Sequence, residues 1–334
     1  MTDASLSQKQ RILQLHEMRP WRGLAQTALR LGVFGLLAGL ALRAFAAGDY
    51  AIYAVFALAT GVWFGGAMSL THDALHHRLT GIRTLDEIIA RIISWPIAWP
   101  IGTYARVHWL HHRWSGASMR DPERLQPTQR EYEAAPPFKR WYYRNQVWFN
   151  ILVAGAFGML LRLLSDVWRH REQLPGIGRT ALIDAAGIAA VLGVGTALVF
   201  ELGGWSLVGA VAGLWIAAER SIGVVHQVRN HAEHYGLWGA RATLRQAQYR
   251  NARDIDTSPL VAWYFNQLNR HATHHVMVGV PYYKLEAAHR FLRAAFEEKQ
   301  VPFERYRGYL AQVLFAHDLA RRRQFIVETQ AGPA

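Results

Sequence analysis

The sequence contains no cysteine. Disulfides, zinc knuckles, iron–sulfur clusters and thiol nucleophiles are excluded, and cysteine usage says nothing of the redox compartment. Walker-type, GxGxxG and GxSxG motifs are also missing, which removes the common nucleotide-binding and serine-hydrolase signatures. A carboxylate di-iron bundle needs two Glu-x-x-His pairs, and only Glu286 and His289 have that spacing. Acidic residues are scarce: 24 Asp and Glu stand against 37 Lys and Arg, for a formal net charge of +13. Such an excess fits nucleic acid, anionic lipid or an acidic protein partner. Arginine is scattered beside apolar runs rather than gathered in a stripe. Nucleic acid is therefore not expected as a partner, and the cytoplasmic loops of a membrane protein are. No short apolar core with a small-residue cleavage site follows the polar first 22 residues, so they are not read as a removable signal peptide.

What the chain does have is apolar length. About half of its 334 residues are hydrophobic. Runs at about 24–47 (interrupted by Arg30 and Arg43), 50–70, 181–202 and 205–225 each approach the ~20 residues a helix needs to cross the hydrocarbon core. Gly48-Asp49 joins the first two and Gly203-Gly204 the last two, so each pair reads as an antiparallel hairpin. Two weaker runs, 88–101 and 147–164, are read as interfacial or buried; the first is short and broken by Pro96 and Pro100. The expected fold is an all-α integral membrane protein with four transmembrane helices in two hairpins and a cytosolic helical cap. The expected division is a polar segment at 1–22, a membrane domain at 23–300 and a cytosolic tail at 301–334.

Three histidine clusters punctuate this frame: HDALHH from His72, HWLHH from His108 and HATHH from His271. Residues at i, i+3 and i+4 share one helix face. His72 with His76, then His108, His111 and His112, then His271, His274 and His275 are thus each aimed into one space. If the clusters act together they must lie on one membrane face, and Arg-rich connecting segments make that face cytoplasmic. Neutral imidazole ligates zinc, copper, iron and nickel. One zinc accepts about four protein ligands and has no redox chemistry, so this many histidines imply two metals. An all-nitrogen pair of sites at a membrane surface points to iron and dioxygen.

The order HDALHH, HWLHH, then HATHH followed by VGVPYYKLEAAH resembles the membrane fatty acid desaturase superfamily, which also holds hydroxylases and carotenoid ketolases. The resemblance covers most of the chain. It implies two non-haem iron ions with O2 as co-substrate, held by histidines of all three boxes, with no catalytic residue beyond that centre. It also implies a ninth ligand: Asn230-x-x-x-His234 is similar to the NxxxH element of acyl-CoA desaturases, with His234 on the metal and Asn230 near it. Either His76 or His77 completes box one, and the family spacing favours His76. The expected activity is O2-dependent desaturation of a fatty-acyl or lipid-like chain carried as acyl-CoA, on an acyl carrier or in an acyl-lipid. No HPGG of a fused cytochrome b5 is present, so the resemblance implies a separate electron donor such as ferredoxin, rubredoxin or cytochrome b5. A hydroxylase or ketolase shares every histidine named, and NHAEHYGL and LNRHATHH look like segments of alkane hydroxylases. A histidine-rich metal transporter is the remote alternative, although here the clusters sit at or beyond the ends of the spans.

Several residues carry weaker expectations. His231 reads as lying behind the ligands. Asp73, Asp121, Glu233 and Asp256 are candidates to accept the free ring N–H of ligating histidines. His226 is either a buried, satisfied histidine or an inner-face group. His16, His170, His289 and His317 fall outside the clusters and read as surface or interfacial. Trp95, Trp99, Trp141, Tyr142, Tyr143 and Trp148 read as an interfacial belt.

Overall fold

The structure, a computed structural model, describes residues 7–238, 243–301 and 303–327 and is almost entirely helical. A capping box at Ser7 and Gln10 starts α1 (Gln8–His16), and Pro20 at the first helical position starts α2 (Pro20–Ala46). Gly48, at φ +80, reverses the chain into α3 (Tyr50–Ala67), which continues as α4 (Ser69–Leu75). Then come α5 (Arg83–Ser94), α6 (Ile101–Trp114), α7 (Gln129–Ala134), α8 (Pro137–Trp148) and α9 (Gly155–Arg169). The long α10 (Ile177–His234) leads to the polar C-terminal part. There, α11 (Leu244–Arg250), α12 (Pro259–Tyr264), α13 (His271–Val276), α14 (Leu285–Glu298) and α15 (Tyr309–Arg321) surround a short parallel pair, β1 (Ile255–Asp256) and β2 (Tyr306–Arg307).

Among the described residues, four helical stretches are long and apolar enough to cross a membrane: Gln8–Ala46, Tyr50–Leu75, Pro137–Arg169 and Ile177–His234. The number matches the sequence reading. The runs at 181–202 and 205–225 form the two helical limbs of α10, joined where Gly203 and Gly204 leave helical geometry. The run at 147–164, read as too weak to span, lies in a stretch that meets the same length and hydropathy requirement. It exposes Leu152, Val153, Phe157 and Leu161. Contacts from both sides of the Gly203-Gly204 break meet at one place: Trp95 Nε1 donates to Asp184 Oδ1 at 3.1 Å, and Trp215 Nε1 donates to the Pro96 carbonyl at 3.0 Å.

Small residues let the membrane helices touch. A Cβ on Gly61 would stand 2.4 Å from the Ala217 carbonyl oxygen, so only glycine permits this approach of α3 to α10. Two polar features inside the apolar stretches are met by backbone groups. Arg30 is fully buried; it donates to the carbonyls of Trp263 and Tyr264 at 2.9 and 3.2 Å and lies 4.0 Å from the Trp263 ring centre. It thereby caps the end of α12 with a cation, the sign that a helix C-terminus favours. A π-helical turn before Gly155, itself at φ +59, interrupts the α8–α9 stretch. Arg220 takes the freed carbonyls of Val153 and Ala154 at 2.8 and 3.4 Å, and Glu219 Oε1 accepts the Phe157 N–H at 2.9 Å. A break in a lipid-facing helix is tolerated only when its backbone is satisfied in this way.

Candidate metal centre

Four elements deliver histidines to one buried volume. Box one lies where α4 ends, with His72 on its last turn and His76 just beyond. Box two lies on the last turns of α6, box three forms most of α13, and His234 is the last residue of α10. The ring nitrogens divide into two groups, each with its members within 4.8 Å of one another. One holds His72, His76, His108, His112 and His274; the other holds His111, His234, His271 and His275. The division follows helical spacing. The i, i+4 pairs His108–His112 and His271–His275 each stay in one group, while the i+3 residue of each box, His111 or His274, crosses to the other. Box two and box three are therefore interleaved rather than assigned one to each group.

A ring of acceptors holds the imidazoles in place. His108 Nδ1 donates to Glu123 Oε1 at 2.7 Å, His111 Nδ1 to Asp121 Oδ1 at 2.9 Å, and His234 Nδ1 to the Asn251 carbonyl at 2.9 Å. Glu233 Oε2 lies 3.4 Å from His271 Nδ1, within ion-pair reach but off the hydrogen-bond line. Glu233 is itself fixed by Arg229, at 2.9 Å to each oxygen, and by the Tyr309 hydroxyl at 3.0 Å. Burial, joined by repulsion from neighbouring histidines, holds His112, His271, His274 and His275 well below the usual imidazole value, so these rings are neutral. His111 differs. Burial opposes its charge, yet Asp121 and Glu123 outweigh burial and push it up to about 9.

Of the expected acceptors, Asp121 and Glu233 face ligand-type histidines and the other two do not. Asp73 instead bonds Asn266 Nδ2 at 2.5 Å, tying box one to the approach of box three, and Asp256 pairs with Arg270 at 2.7 Å on the surface. Glu123 went unread, although it lies two residues past Asp121 in the loop that closes box two. Asp254 was also missed. It accepts from Thr273 N at 3.0 Å, Thr273 Oγ1 at 2.6 Å and His289 Nδ1 at 2.8 Å, so it caps α13. His289 and His170, expected to be surface or interfacial, are buried, His170 against Trp114. His77 stays outside both groups, with φ +55 turning the chain away from α4. His231 is engaged elsewhere, donating to the Gln227 carbonyl at 2.8 Å. Asn230 lines the cavity beside His234, and His226 lines a cavity that also reaches His72.

The donor set fits metal ions. Nearest ring nitrogens are 3.1 Å apart in His108–His112 and His271–His275 and 3.3 Å in His111–His275. Ligand nitrogens about 2.1 Å from a shared metal are separated by roughly 3.0–3.4 Å. Both ring nitrogens of His72 and His76 and Nε2 of His274 are buried without a hydrogen-bond partner, and a metal ion would answer one nitrogen of each ring.

An apolar route leads away from the histidines. The cavity against His72 and His108 shares Met68, Trp99, Ala156 and Ile222 with a second, greasier one, which shares Ile97 and Trp215 with a third. That third space, about 780 Å³, opens between α2, α3 and both limbs of α10 and is lined by Phe34, Leu42 and Val199.

Fold and site together define a helical membrane protein with paired, all-nitrogen histidine sites at the mouth of an apolar corridor. The sequence profile of the fatty acid desaturase family matches residues 49–307, and the chain belongs to that family; it is an oxidoreductase. It is 21% identical over 296 residues to the sn-1 oleoyl-lipid 12-desaturase of Picosynechococcus sp., covering 86% of this chain and 80% of that protein. It is 28% identical over 90 residues to the omega-3 fatty acid desaturase fat-1 of Caenorhabditis elegans, covering 27% of this chain and 22% of that protein.

Proposed function

We propose that the chain is a di-iron, O2-dependent desaturase that introduces a double bond into a lipid-linked acyl chain with electrons from a separate protein. The observation that carries this is the pair of interleaved histidine groups of five and four members, sharing one wall with an apolar corridor. His72, His76, His108, His112 and His274 would hold one iron; His111, His234, His271 and His275 would hold the other. Non-haem iron in such a site supplies O2 activation and an oxidant able to take hydrogen from an unactivated C–H bond.

The protein's own work is placement and insulation. Glu123, Asp121 and the Asn251 carbonyl fix which ring nitrogen of His108, His111 and His234 faces inward. Met68, Trp99, Ala156 and Ile222 offer an extended chain an apolar path that keeps water from the reacting carbons. Asn230, on the cavity wall beside His234, is placed to hold a water near the second group. The lipid-linked form of the substrate follows the first relative's name and the opening of the corridor among membrane helices.

The same reading gives the topology. The crossings are α2, α3–α4 and the two limbs of α10, which fold back at Gly203-Gly204 to form the second hairpin. The meeting of Asp184 and Trp215 at Trp95–Pro96 supports that fold-back, because a straight helix would separate them by about 46 Å. The break at Gly155 leaves α9 about 22 Å long, short of the ~30 Å core, so that stretch lies along or within one leaflet. All three boxes and the C-terminal helices then share the cytoplasmic face.

Mass spectrometry of lipids from cells expressing the wild type or His274→Ala tests the reaction. Loss of about two mass units from an acyl chain, absent in the variant, is expected of desaturation; a gain of about sixteen instead would make the enzyme a hydroxylase. Identical lipids with and without the gene would refute both.

A further inference from the structure

Trp109 sits inside box two, yet 44% of it is exposed. Its ring meets His76 edge-on at 5.0 Å between centroids and reaches His112 at 6.0 Å, so it joins the outer surface to the five-histidine group directly. Helical spacing places Arg106 and Arg113 on the same face of α6, three residues before and four after, and both are exposed. Arg106 donates to the Pro175 carbonyl, a neutral partner that leaves its charge uncompensated. Gln248 of α11 donates to the His112 carbonyl at 2.7 Å, which brings exposed Arg245, one turn earlier on α11, alongside. Three guanidinium groups around an exposed indole do not suit a lipid-facing surface.

We propose that this face docks an acidic one-electron carrier protein, and that the electron enters through Trp109. The proposal rests on the reading of the histidine groups as the oxidising centre. The arginines, on a chain of net charge +13, steer and orient an acidic partner. The indole provides a flat aromatic contact at the middle of the patch and closes the remaining gap to His76. Each docking oxidises the carrier by one electron, so two dockings serve one turnover. With those electrons, two protons and one O2, a saturated pair of carbons becomes an alkene and two waters form, which balances atoms and charge.

Reduced plant-type [2Fe–2S] ferredoxin is the probe, with the full chain in detergent. Carrier affinity is measured at low and high salt, and reduction of the centre by stopped flow, with dithionite as a small-molecule control. Arg106→Glu with Arg113→Glu is expected to weaken carrier affinity about tenfold or more at low salt, and to leave iron content and dithionite reduction unchanged. Trp109→Leu is expected to slow carrier-driven reduction about tenfold even at saturating carrier, and Trp109→Phe to restore part of it. Unchanged carrier affinity and rate in these variants would overturn the proposal. So would a wild-type centre that dithionite reduces but the carrier does not. A chain that holds no iron refutes the reading of the centre instead, while carrier affinity, which needs no metal, still decides the docking surface.

Discussion

Replacement of Asp254 by alanine removes the acceptor for three donors at once: the Thr273 amide, the Thr273 hydroxyl and His289 Nδ1. The hydroxyl can rotate to another acceptor. The amide and the imidazole N–H are fixed and buried, and each orphaned donor costs about 1–3 kcal/mol, so the expected loss is ~2–6 kcal/mol. That is a large part of the 5–15 kcal/mol that ordinarily holds a domain together. The loss also falls on an element with little stability of its own. The six residues of α13 have no side-chain cap at Arg270, and so short a helix depends on tertiary contacts. Because α13 supplies two of the four histidines in the second group but one of the five in the first, the damage should be unequal. With chelator competition on purified protein, Asp254→Ala should release the second metal far faster than the first. Asp254→Asn, which keeps a carbonyl for the Thr273 amide, should fall between. Wild-type release of both metals from Asp254→Ala would refute the claim that this carboxylate holds box three.

Glu123→Gln, which replaces the anionic acceptor of His108 with an amide, is expected to weaken metal affinity about 10- to 100-fold in a chelator titration, with little change in helix content by circular dichroism. His76→Ala should abolish lipid desaturation and lower metal content, whereas His77→Ala should keep at least about half the activity, since His77 lies outside both groups. Gly61→Ala should destabilise the protein in detergent by about 1–3 kcal/mol, read as a lowered unfolding midpoint, because its methyl would meet the Ala217 carbonyl at 2.4 Å.

The histidines were legible in the sequence because helical spacing is written in it. HWLHH and HATHH declare three rings on one face without any knowledge of tertiary structure. How the rings divide between two groups was not legible. That depends on how α6, α10 and α13 cross, which sends His111 to one side and His108 and His112 to the other. The carboxylates were half legible for a related reason. Asp121 lies close in sequence to His111, the ring it serves, and Glu123 could have been found by the same proximity, whereas Glu233 adjoins His234 in sequence but faces His271. Asp254 lies 35 residues from His289, so only folding joins them. The near-identical neighbourhood of Asp256 drew attention to the wrong acid, which pairs with Arg270 at the surface. The apolar runs gave the membrane stretches their places. However, hydropathy did not reveal that Glu219 and Arg220 satisfy the broken helix before Gly155 from across the bundle. Arg30 looked like an interruption in a span and is instead the cation that caps α12.

The central claim is that two interleaved histidine groups hold two iron ions. Metal analysis of the purified chain by mass spectrometry, for the wild type beside His111→Ala and His274→Ala, tests it most directly. The account predicts about two irons per wild-type chain and a marked loss in each variant, since each removes a ligand from a different group. A wild-type chain that carries only zinc, or variants that keep both irons, would contradict it.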